Sequence, residues 1–217
     1  GKPVIKYYDG VSMNAIWAVP SLGIDPATGR EIYRKKDGRS TFTYDVNDMV
    51  ICGDNLPKLN GSFSINLGYK GLGFNMTCIY ELGAKMFNQT LIDRVENVDM
   101  HYNVDRRVLE GRWQNPGDVV RFRSLKSYWD PETQTYPRDV QTKATSRFVQ
   151  KKNELNISSI NISYDFYRYA FVKQIGLERL SLAFYMNDVA KLSTIKTERG
   201  LAYPFARNYN FSLQMTF

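Results

Sequence analysis

The feature that most constrains the fold is the segment that ends the chain, residues 207–217. From Asn208 onwards its side chains alternate strictly between polar and apolar, which predicts a β-strand with one apolar and one polar face. Its length suits a strand tilted across a bilayer, which takes about 9–11 residues. The apolar positions are Tyr209, Phe211, Leu213, Met215 and Phe217. Such a segment is typical of the strand that closes an outer-membrane β-barrel.

The composition is that of a folded domain, with 217 residues, a net charge of +7 and 43% hydrophobic residues. No apolar run approaches the roughly 18 residues that a transmembrane helix requires. The mean hydropathy of −0.42 does not argue against a membrane barrel, because every second strand residue of a barrel faces a polar lumen. The aromatic content of 14% suits barrels and also suits surfaces that bind carbohydrate or nucleic acid.

Four further segments show the alternation of membrane strands. The clearest is a hairpin whose arms flank Lys70 and Gly71, a two-residue turn in which the glycine supplies a positive φ. In a later segment the apolar phase slips at Ser158 and Ser159, which predicts a β-bulge that would restore one apolar face. The predicted fold is therefore all-β, the C-terminal strands of a large antiparallel transmembrane barrel. The strands are expected near residues 59–69, 72–82, 154–166, 178–187 and 207–217.

The predicted connections differ in length. The turn at Lys70 is short and the connection that follows residue 166 is moderate, whereas the others are long loops. These loops are expected at residues 8–58, 83–153 and 188–206. Following the chain up and down places all long loops on one side, and outer-membrane barrels have short periplasmic turns and longer extracellular loops. We therefore expect extracellular loops and a periplasmic C-terminus. The loop at residues 83–153 is expected to hold one or two helical turns at residues 90–97, with Leu91, Ile92 and Val95 on one face, and a short helix that Asp105 caps and that runs through Trp113.

The strands are too few for a closed barrel. Five are visible, with a sixth possible at residues 4–7, whereas membrane barrels need at least about eight. A free sheet edge cannot face lipid, so we expect upstream sequence or another chain to supply the remaining strands. Cys52 falls in a predicted loop and Cys78 on a predicted strand, so no disulfide between them is expected.

Several segments resemble the C-terminal part of SusC/RagA-type TonB-dependent outer-membrane transporters of Bacteroidetes. They occur in order over essentially the whole chain: SMNAIWAV at residues 12–19, SLGIDPATG at 21–29, TSRFVQ at 145–150, RG at 199–200, YPFAR at 203–207 and TF at 216–217. The resemblance implies a barrel of about 22 strands, of which this chain is roughly the last quarter. The family's plug domain and TonB box have no counterpart in it.

The same resemblance implies part of an outer-membrane importer for oligosaccharides or peptides. Import would be driven by TonB, reached through the missing N-terminal part, and a SusD-like surface lipoprotein would cap the barrel. Outer-membrane lipid and lipopolysaccharide would surround it. The apolar residues of the terminal strand, from Tyr209 to Phe217, would be the signal read by the barrel-assembly machinery.

Two sets of residues are candidate contacts for substrate or partner. The first consists of aromatic residues of the long outer loop, which could stack on sugar rings or pack the loop against a partner: Trp113, Tyr128, Trp129 and Tyr136. The second consists of polar strand residues expected to line the barrel wall: Asn66, Asn75, Asn161, Ser212 and Gln214.

No enzyme, metal or cofactor is expected. His101 is the only histidine, so neither a zinc set nor a nucleophile with a histidine base can be assembled. The carboxylates near Asp45 do not follow a calcium-loop pattern. Basic residues with interleaved aromatics could contact nucleic acid, but many of them stand among acidic residues, which indicates paired loop charges, and no nucleic-acid partner is expected.

The alternative function is that of a soluble β-sandwich module that binds carbohydrate. The two hypotheses differ in solubility, because a bilayer-facing apolar band aggregates in water. A chain that is monomeric without detergent and unfolds cooperatively would exclude the transporter.

Overall fold

The computed structural model describes residues 6–97, 105–125, 142–196 and 207–217. The chain divides into two compact units. Unit 1 comprises Gly1–Leu56 and Ala84–Lys151, and unit 2 comprises Pro57–Gly83 and Lys152–Phe217. Within the described residues, no helix has the length and apolar character needed to cross a membrane.

The described strands are β1 (Ala15–Ala18), β2 (Ser21–Ile24), β3 (Glu31–Arg34), β4 (Ser40–Thr41), β5 (Val50–Asp54), β6 (Leu59–Tyr69), β7 (Leu72–Phe87), β8 (Val149–Asp165), β9 (Arg179–Ser193) and β10 (Tyr209–Thr216). The helical segments are α1 (Gln89–Leu91), which continues as a π-helix (Ile92–Glu96), α2 (Ala170–Gln174), and the 3-10 turns Val46–Asp48, Arg106–Val108 and Ser146–Phe148. The five long strands, β6 to β10, form one antiparallel sheet in which each strand neighbours the next along the chain.

The long strands extend beyond the segments that show the alternation. β7 continues to Phe87 rather than residue 82, β8 begins at Val149 rather than residue 154, and β9 continues to Ser193 rather than residue 187. The alternating pattern indicates the residues that lie on an apolar face, whereas the backbone hydrogen bonds between strands continue beyond the strict alternation. The sequence therefore reveals the amphipathic part of each strand and misses its extension.

The turn between β6 and β7 is the predicted two-residue turn. Lys70 has a φ of 47° and Gly71 a φ of 93°, as a type I′ hairpin requires at both central positions. Gly71 also lies close to the neighbouring β8, because a Cβ at this position would approach the carbonyl oxygen of Asp165 to 2.6 Å. Both the conformation and the space at this position favour glycine.

The β-bulge predicted at Ser158 and Ser159 is present, since the pairing of β8 with β9 shifts there. The extra residue lies on β9, however, where Asp188 and Val189 stand between paired positions that enclose only Ser158 on β8. Asp188 adopts a φ of 51°. Because β8 keeps its alternation, Ile157 lies on the same face as Ser159. The expectation that the bulge would restore one apolar face along β8 is therefore wrong.

Unit 1 contains most of two segments for which long loops are predicted, residues 8–58 and 83–153. The first of them is more regular than expected, because β1 pairs with β5 and β2, β3 and β4 form a second small sheet. Two apolar clusters form the core. One contains Val19, Met49 and Ala144, and the other contains Leu91, Ile92, Val95, Phe122 and Phe148.

The predicted short helices are shorter or more irregular than expected. Residues 89–96 form α1 and the π-helix, and the side chains of Leu91, Ile92 and Val95 are buried in the core. Asp105 caps a helical turn, since its carboxylate accepts a hydrogen bond from the Arg107 N–H at 2.9 Å. That turn ends at Val108 instead of reaching Trp113.

Candidate functional site

The five-stranded sheet carries a continuous apolar face, which we call the belt. Cross-strand partners on this face are apolar in every pair of strands whose register is given. They include Ile65 with Met76, Leu67 with Phe74, Ile162 with Phe184 and Phe211, and Tyr164 with Leu182 and Leu213. Such direct partners stand about 4.5–5.5 Å apart at Cβ. The local alternation of each strand thus adds up to one apolar surface.

Many of the large side chains of the belt are exposed, particularly on the two edge strands β6 and β10. Phe211 is 74% exposed and Leu213 is 58% exposed, and the large apolar side chains of β6 are exposed as well. Monomeric soluble proteins rarely expose contiguous apolar patches larger than a few hundred Å². This surface therefore requires an apolar environment or a partner.

The belt is also free of charge. Five segments contain no Asp, Glu, Lys or Arg: residues 59–69, 72–80, 155–164, 180–187 and 208–217. Charged residues stand immediately beyond their ends: Lys58, Lys70, Glu81, Glu154, Asp165, Arg179, Asp188 and Arg207. A central zone without charge between two charged borders is the arrangement that the cost of burying an ion in hydrocarbon imposes.

The belt has the height of a membrane barrel. Along β10 its apolar positions extend from Tyr209 to Phe217, eight steps of about 3.4 Å each, or about 27 Å. A tilt of about 40° reduces this length to a height of about 21 Å, close to the roughly 25 Å apolar band of outer-membrane barrels.

The opposite face of the sheet is uncharged and mostly polar within the same zone, with apolar exceptions that include Ile79 and Ala183. The Asn75 side-chain amide donates to Asn66 Oδ1, and the hydroxyl groups of Ser64 and Thr77 lie 3.1 Å apart. Ser212 pairs across the strands with Ala183, and Gln214 with Ser181. The residues expected to line a barrel wall thus share the face opposite the belt, where the polar groups bind one another and leave further hydrogen-bonding capacity.

Ion pairs border the sheet. Near one end, Lys152 Nζ contacts the Glu81 carboxylate at 2.9 Å, and Lys191 Nζ contacts the Glu154 carboxylate at 2.7 Å. At the end that holds the Lys70 turn, Arg179 pairs with Asp165 at 2.5 Å. These charges lie where the strands leave the uncharged zone.

A buried ionic cluster joins distant segments within unit 1. The Arg147 guanidinium contacts Glu31 at 2.9 Å and Glu96 at 2.6 Å, and all three side chains are at least nine-tenths buried. Burial alone would lower the pKa of Arg147, but the two carboxylates raise it above its ordinary value, so the guanidinium stays charged. The cluster connects β3, the π-helix and the 3-10 turn that leads into β8.

Arg112 completes this region through hydrogen bonds to backbone carbonyls. Its Nε donates to the Val108 carbonyl at 2.9 Å, its Nη1 donates to the Arg123 carbonyl at 2.9 Å, and Nη2 donates to the Val95 carbonyl. The sequence did not predict that Arg112 and Arg147 would hold the segments of this region together. Arg147 lies within the TSRFVQ segment that carries the family resemblance, which was the available signal, but no local pattern names its partners.

Trp113 packs within unit 1. Its Nε1 donates to the Pro26 carbonyl at 2.8 Å, and its ring lies against Gly29, where a Cβ would approach to 2.5 Å. The geometry thus supports packing of this side chain. The other aromatic candidates of the outer loop, Tyr128, Trp129 and Tyr136, lie outside the described residues, as does His101.

The terminal strand β10 stands at one edge of the sheet. It pairs with β9 from Tyr209 to Thr216, and in the described part of the chain it has no second neighbour. All five apolar side chains predicted as the assembly signal are at least half exposed. A row of backbone donors and acceptors is thereby available for pairing with another strand.

Comparisons with known proteins agree with this geometry. No family model matches the chain. The TonB-dependent receptor P39 of Formosa agariphila is 26% identical over 157 residues, which cover 71% of this chain and 14% of the receptor. The RagAB peptide importer in its "open-open" state is similar with a TM-score of 0.68 and 16% identity, over 99% of this chain and 25% of that chain. Its "closed-closed" state gives a TM-score of 0.66 and 17% identity, over 94% and 23%.

The chain thus spans a quarter or less of the length of these relatives. The likeness confirms the predicted fold class, strands of a large antiparallel barrel, and it confirms the resemblance to TonB-dependent transporters. The names of the relatives describe a receptor and an importer rather than an enzyme.

Proposed function

We propose, from the confirmed resemblance to SusC/RagA-type TonB-dependent transporters, that this chain is the C-terminal part of the barrel of an outer-membrane importer. The observation that carries the proposal is the uncovered, charge-free belt between two charged borders. A surface of this height and composition is stable in hydrocarbon and unstable in water. Unit 1 then forms the extracellular loops, and β10 ends at the periplasmic side.

The two free edges of the sheet support a larger barrel. β6 and β10 each have one strand neighbour among the described residues, and an open edge is not tolerated in lipid. Further strands must pair with both. They come from the remainder of a longer barrel, of which this sheet is roughly a quarter, and templated pairing at β10 is the step in which the assembly machinery acts.

The polar face supports a role in solute passage. In a closed barrel this face lines the lumen, where its amide and hydroxyl groups can hydrogen-bond to the hydroxyl groups of a glycan or to the backbone of a peptide. We propose an oligosaccharide or peptide as the substrate, TonB as the source of energy through an N-terminal part, and a SusD-like lipoprotein as the extracellular partner.

Membrane fractionation tests the proposal. The complete barrel that carries this chain is expressed in its host, and the outer-membrane fraction is washed with alkaline carbonate and then extracted with detergent. We expect the protein to resist the wash, to require detergent, and to show heat-modifiable mobility on gels. Recovery of this chain as a soluble monomer that unfolds cooperatively without detergent would refute the proposal.

Uptake in the same host tests the transport step. Accumulation of labelled oligosaccharide and peptide pools is compared between cells with and without the protein, and again after removal of TonB. We expect one of the pools to accumulate only when both are present. Accumulation that is independent of the protein, or unaffected by loss of TonB, would contradict an active importer.

The soluble β-sandwich is not favoured by the structure. A sandwich buries its apolar faces against a second sheet about 10 Å away. The described residues of unit 2 contain one sheet and α2, and the belt remains exposed.

A further inference from the structure

The connection from β8 to β9 is a folded element rather than a bare turn. It contains α2 (Ala170–Gln174), and the side chains of Val172 and Leu177 are 2% and 6% exposed. The Phe166 N–H donates to the Leu180 carbonyl at 2.9 Å, which ties the start of the connection to β9. Because its core is buried, the connection holds its outer side chains in place.

A ladder of aromatic rings leads from the belt to this connection. Tyr164, which lies on the belt opposite Leu182, contacts Phe166 with ring centroids 4.8 Å apart. Phe166 contacts Tyr169 at 6.1 Å, and Tyr169 contacts Phe171 at 5.9 Å. The apolar surface thus continues past the last strand residues. Phe171 is 41% exposed, and the apolar side chain of Ile175 just beyond α2 is 60% exposed.

Basic side chains lie at the same end of the sheet as this ladder. Arg168 Nε donates to the Tyr167 hydroxyl at 2.9 Å and its guanidinium lies 5.5 Å from that ring. Lys70 lies 5.0 Å from the ring of Tyr69. The charged residues at this end are Lys70, Asp165, Arg168, Lys173, Glu178 and Arg179. Four are basic and two acidic, and Asp165 is engaged by Arg179.

We propose that this surface, consisting of Tyr169, Phe171, Ile175, Arg168 and Lys173, is an anchor for anionic glycerophospholipid. The proposal rests on the proposed function, because it requires the belt to span the membrane. Aromatic rings favour the boundary between hydrocarbon and headgroups. Cationic side chains above them bind lipid phosphate through charge-assisted hydrogen bonds while their stems stay in apolar surroundings.

The position of this surface on the sheet indicates which class of lipid it meets. It lies at the end of the sheet that holds the short turn and the last residue of β10, since the Glu178 N–H donates to the Thr216 carbonyl at 2.8 Å. This is the end predicted to face the periplasm. We therefore assign the phosphate to a glycerophospholipid and not to lipopolysaccharide.

Lipid titration tests the anchor. The complete barrel that carries this chain is purified in octyl glucoside and titrated with dioleoyl phosphatidylglycerol, dioleoyl phosphatidylcholine or lipopolysaccharide, and bound molecules are counted by native mass spectrometry. We expect phosphatidylglycerol to be retained in preference to the other two. The double variant R168Q/K173Q should lose about 10- to 30-fold of this preference, since each basic residue near an anionic surface contributes about fivefold.

A matched variant removes equal charge from the other end of the sheet. Lys58 and Lys196 are exposed there, so K58Q/K196Q should retain the preference. An unchanged preference in R168Q/K173Q, an equal loss in both variants, or tighter binding of lipopolysaccharide would overturn the anchor. Heat-modifiable mobility is recorded for every protein. A barrel that folds in detergent without lipid preference refutes the anchor alone, whereas a chain that is soluble without detergent refutes the proposed function.

Discussion

A pair of adjacent arginine substitutions tests the two faces of the sheet most directly. Leu182 lies on the belt in β9, between Tyr164 and Leu213, and is 42% exposed. Ala183 follows it and lies on the polar face, between Ser163 and Ser212. The two positions share a strand and nearly the same depth, so they differ mainly in the medium that each side chain meets. We expect Leu182→Arg to destabilise the barrel in a bilayer and Ala183→Arg to be tolerated.

The expected magnitude follows from the position of Leu182 in the uncharged zone. Arg179 precedes it by three residues and Asp188 follows it by six, which correspond to about 10 and 20 Å along the strand. An arginine on the lipid face costs about 2–4 kcal/mol at the bilayer midplane and about 0–1 kcal/mol near the interfaces. At this intermediate depth we expect a loss of about 2–3 kcal/mol, roughly 30- to 150-fold in the folding equilibrium.

The assay is urea-induced unfolding of the complete barrel in phosphatidylcholine vesicles, with the folded fraction read from heat-modifiable gel mobility. Ala183→Arg should change the free energy of unfolding by less than about 1 kcal/mol, because a guanidinium in an aqueous lumen keeps its hydration. Equal losses in the two variants, or a larger loss for Ala183→Arg, would refute the assignment of the belt to lipid and of the opposite face to the lumen.

Three further predictions concern unit 1. Arg147→Met removes the cation that the buried carboxylates of Glu31 and Glu96 share, although Arg123 remains 3.6 Å from Glu96, and should destabilise the unit by about 3–5 kcal/mol. The loss is measured as faster hydrogen exchange in residues 142–151, and unchanged exchange would contradict the role of the cluster. Gly29→Ala should cost roughly 1–3 kcal/mol more stability than Gly10→Ala in the same assay. Both glycines have positive φ, but only a side chain at Gly29 would meet the ring of Trp113. Equal losses of stability would show that the Trp113 ring moves aside without cost. Burial raises the pKa of the Cys52 thiol, so the thiolate fraction of Cys52 is smaller than that of a free thiol at the same pH. Maleimide labelling of Cys52 should therefore be slower than that of free cysteine at pH 8 and should become faster at higher pH. Labelling as fast as that of free cysteine at pH 8 would show that the thiol is exposed to solvent.

Much of the sheet could be predicted from the sequence because successive side chains of a strand face two different environments, which gives an alternation with a period of two residues. The alternation around Lys70 identified a hairpin and its turn, and the alternation at the end of the chain identified β10. Each of these features depends on neighbours within a few residues. The bulge shows the limit of this reasoning. The phase slip in β8 marked its position, but the strand that carries the extra residue is decided by pairing with β9.

The candidate contacts of the outer loop were less accessible to sequence reasoning. Trp113 is a residue type that can stack on sugar rings, yet its ring packs against Gly29, 84 positions earlier in the chain. The pairing of Arg147 with Glu31 spans 116 positions. Contacts of this separation follow from how whole segments pack, and no local pattern specifies them.

The sequence by itself determined that this chain builds amphipathic strands with a charge-free centre, since that property resides in the order of polar and apolar side chains. Only the tertiary structure decided that described residues from two of the predicted loops fold into one compact unit, which contains the ion pairs of Arg147, and that the connection after β8 is an ordered, aromatic element. The physical reason is that alternation is a local consequence of strand geometry, whereas buried ion pairs and ring contacts form only when distant segments exclude water together.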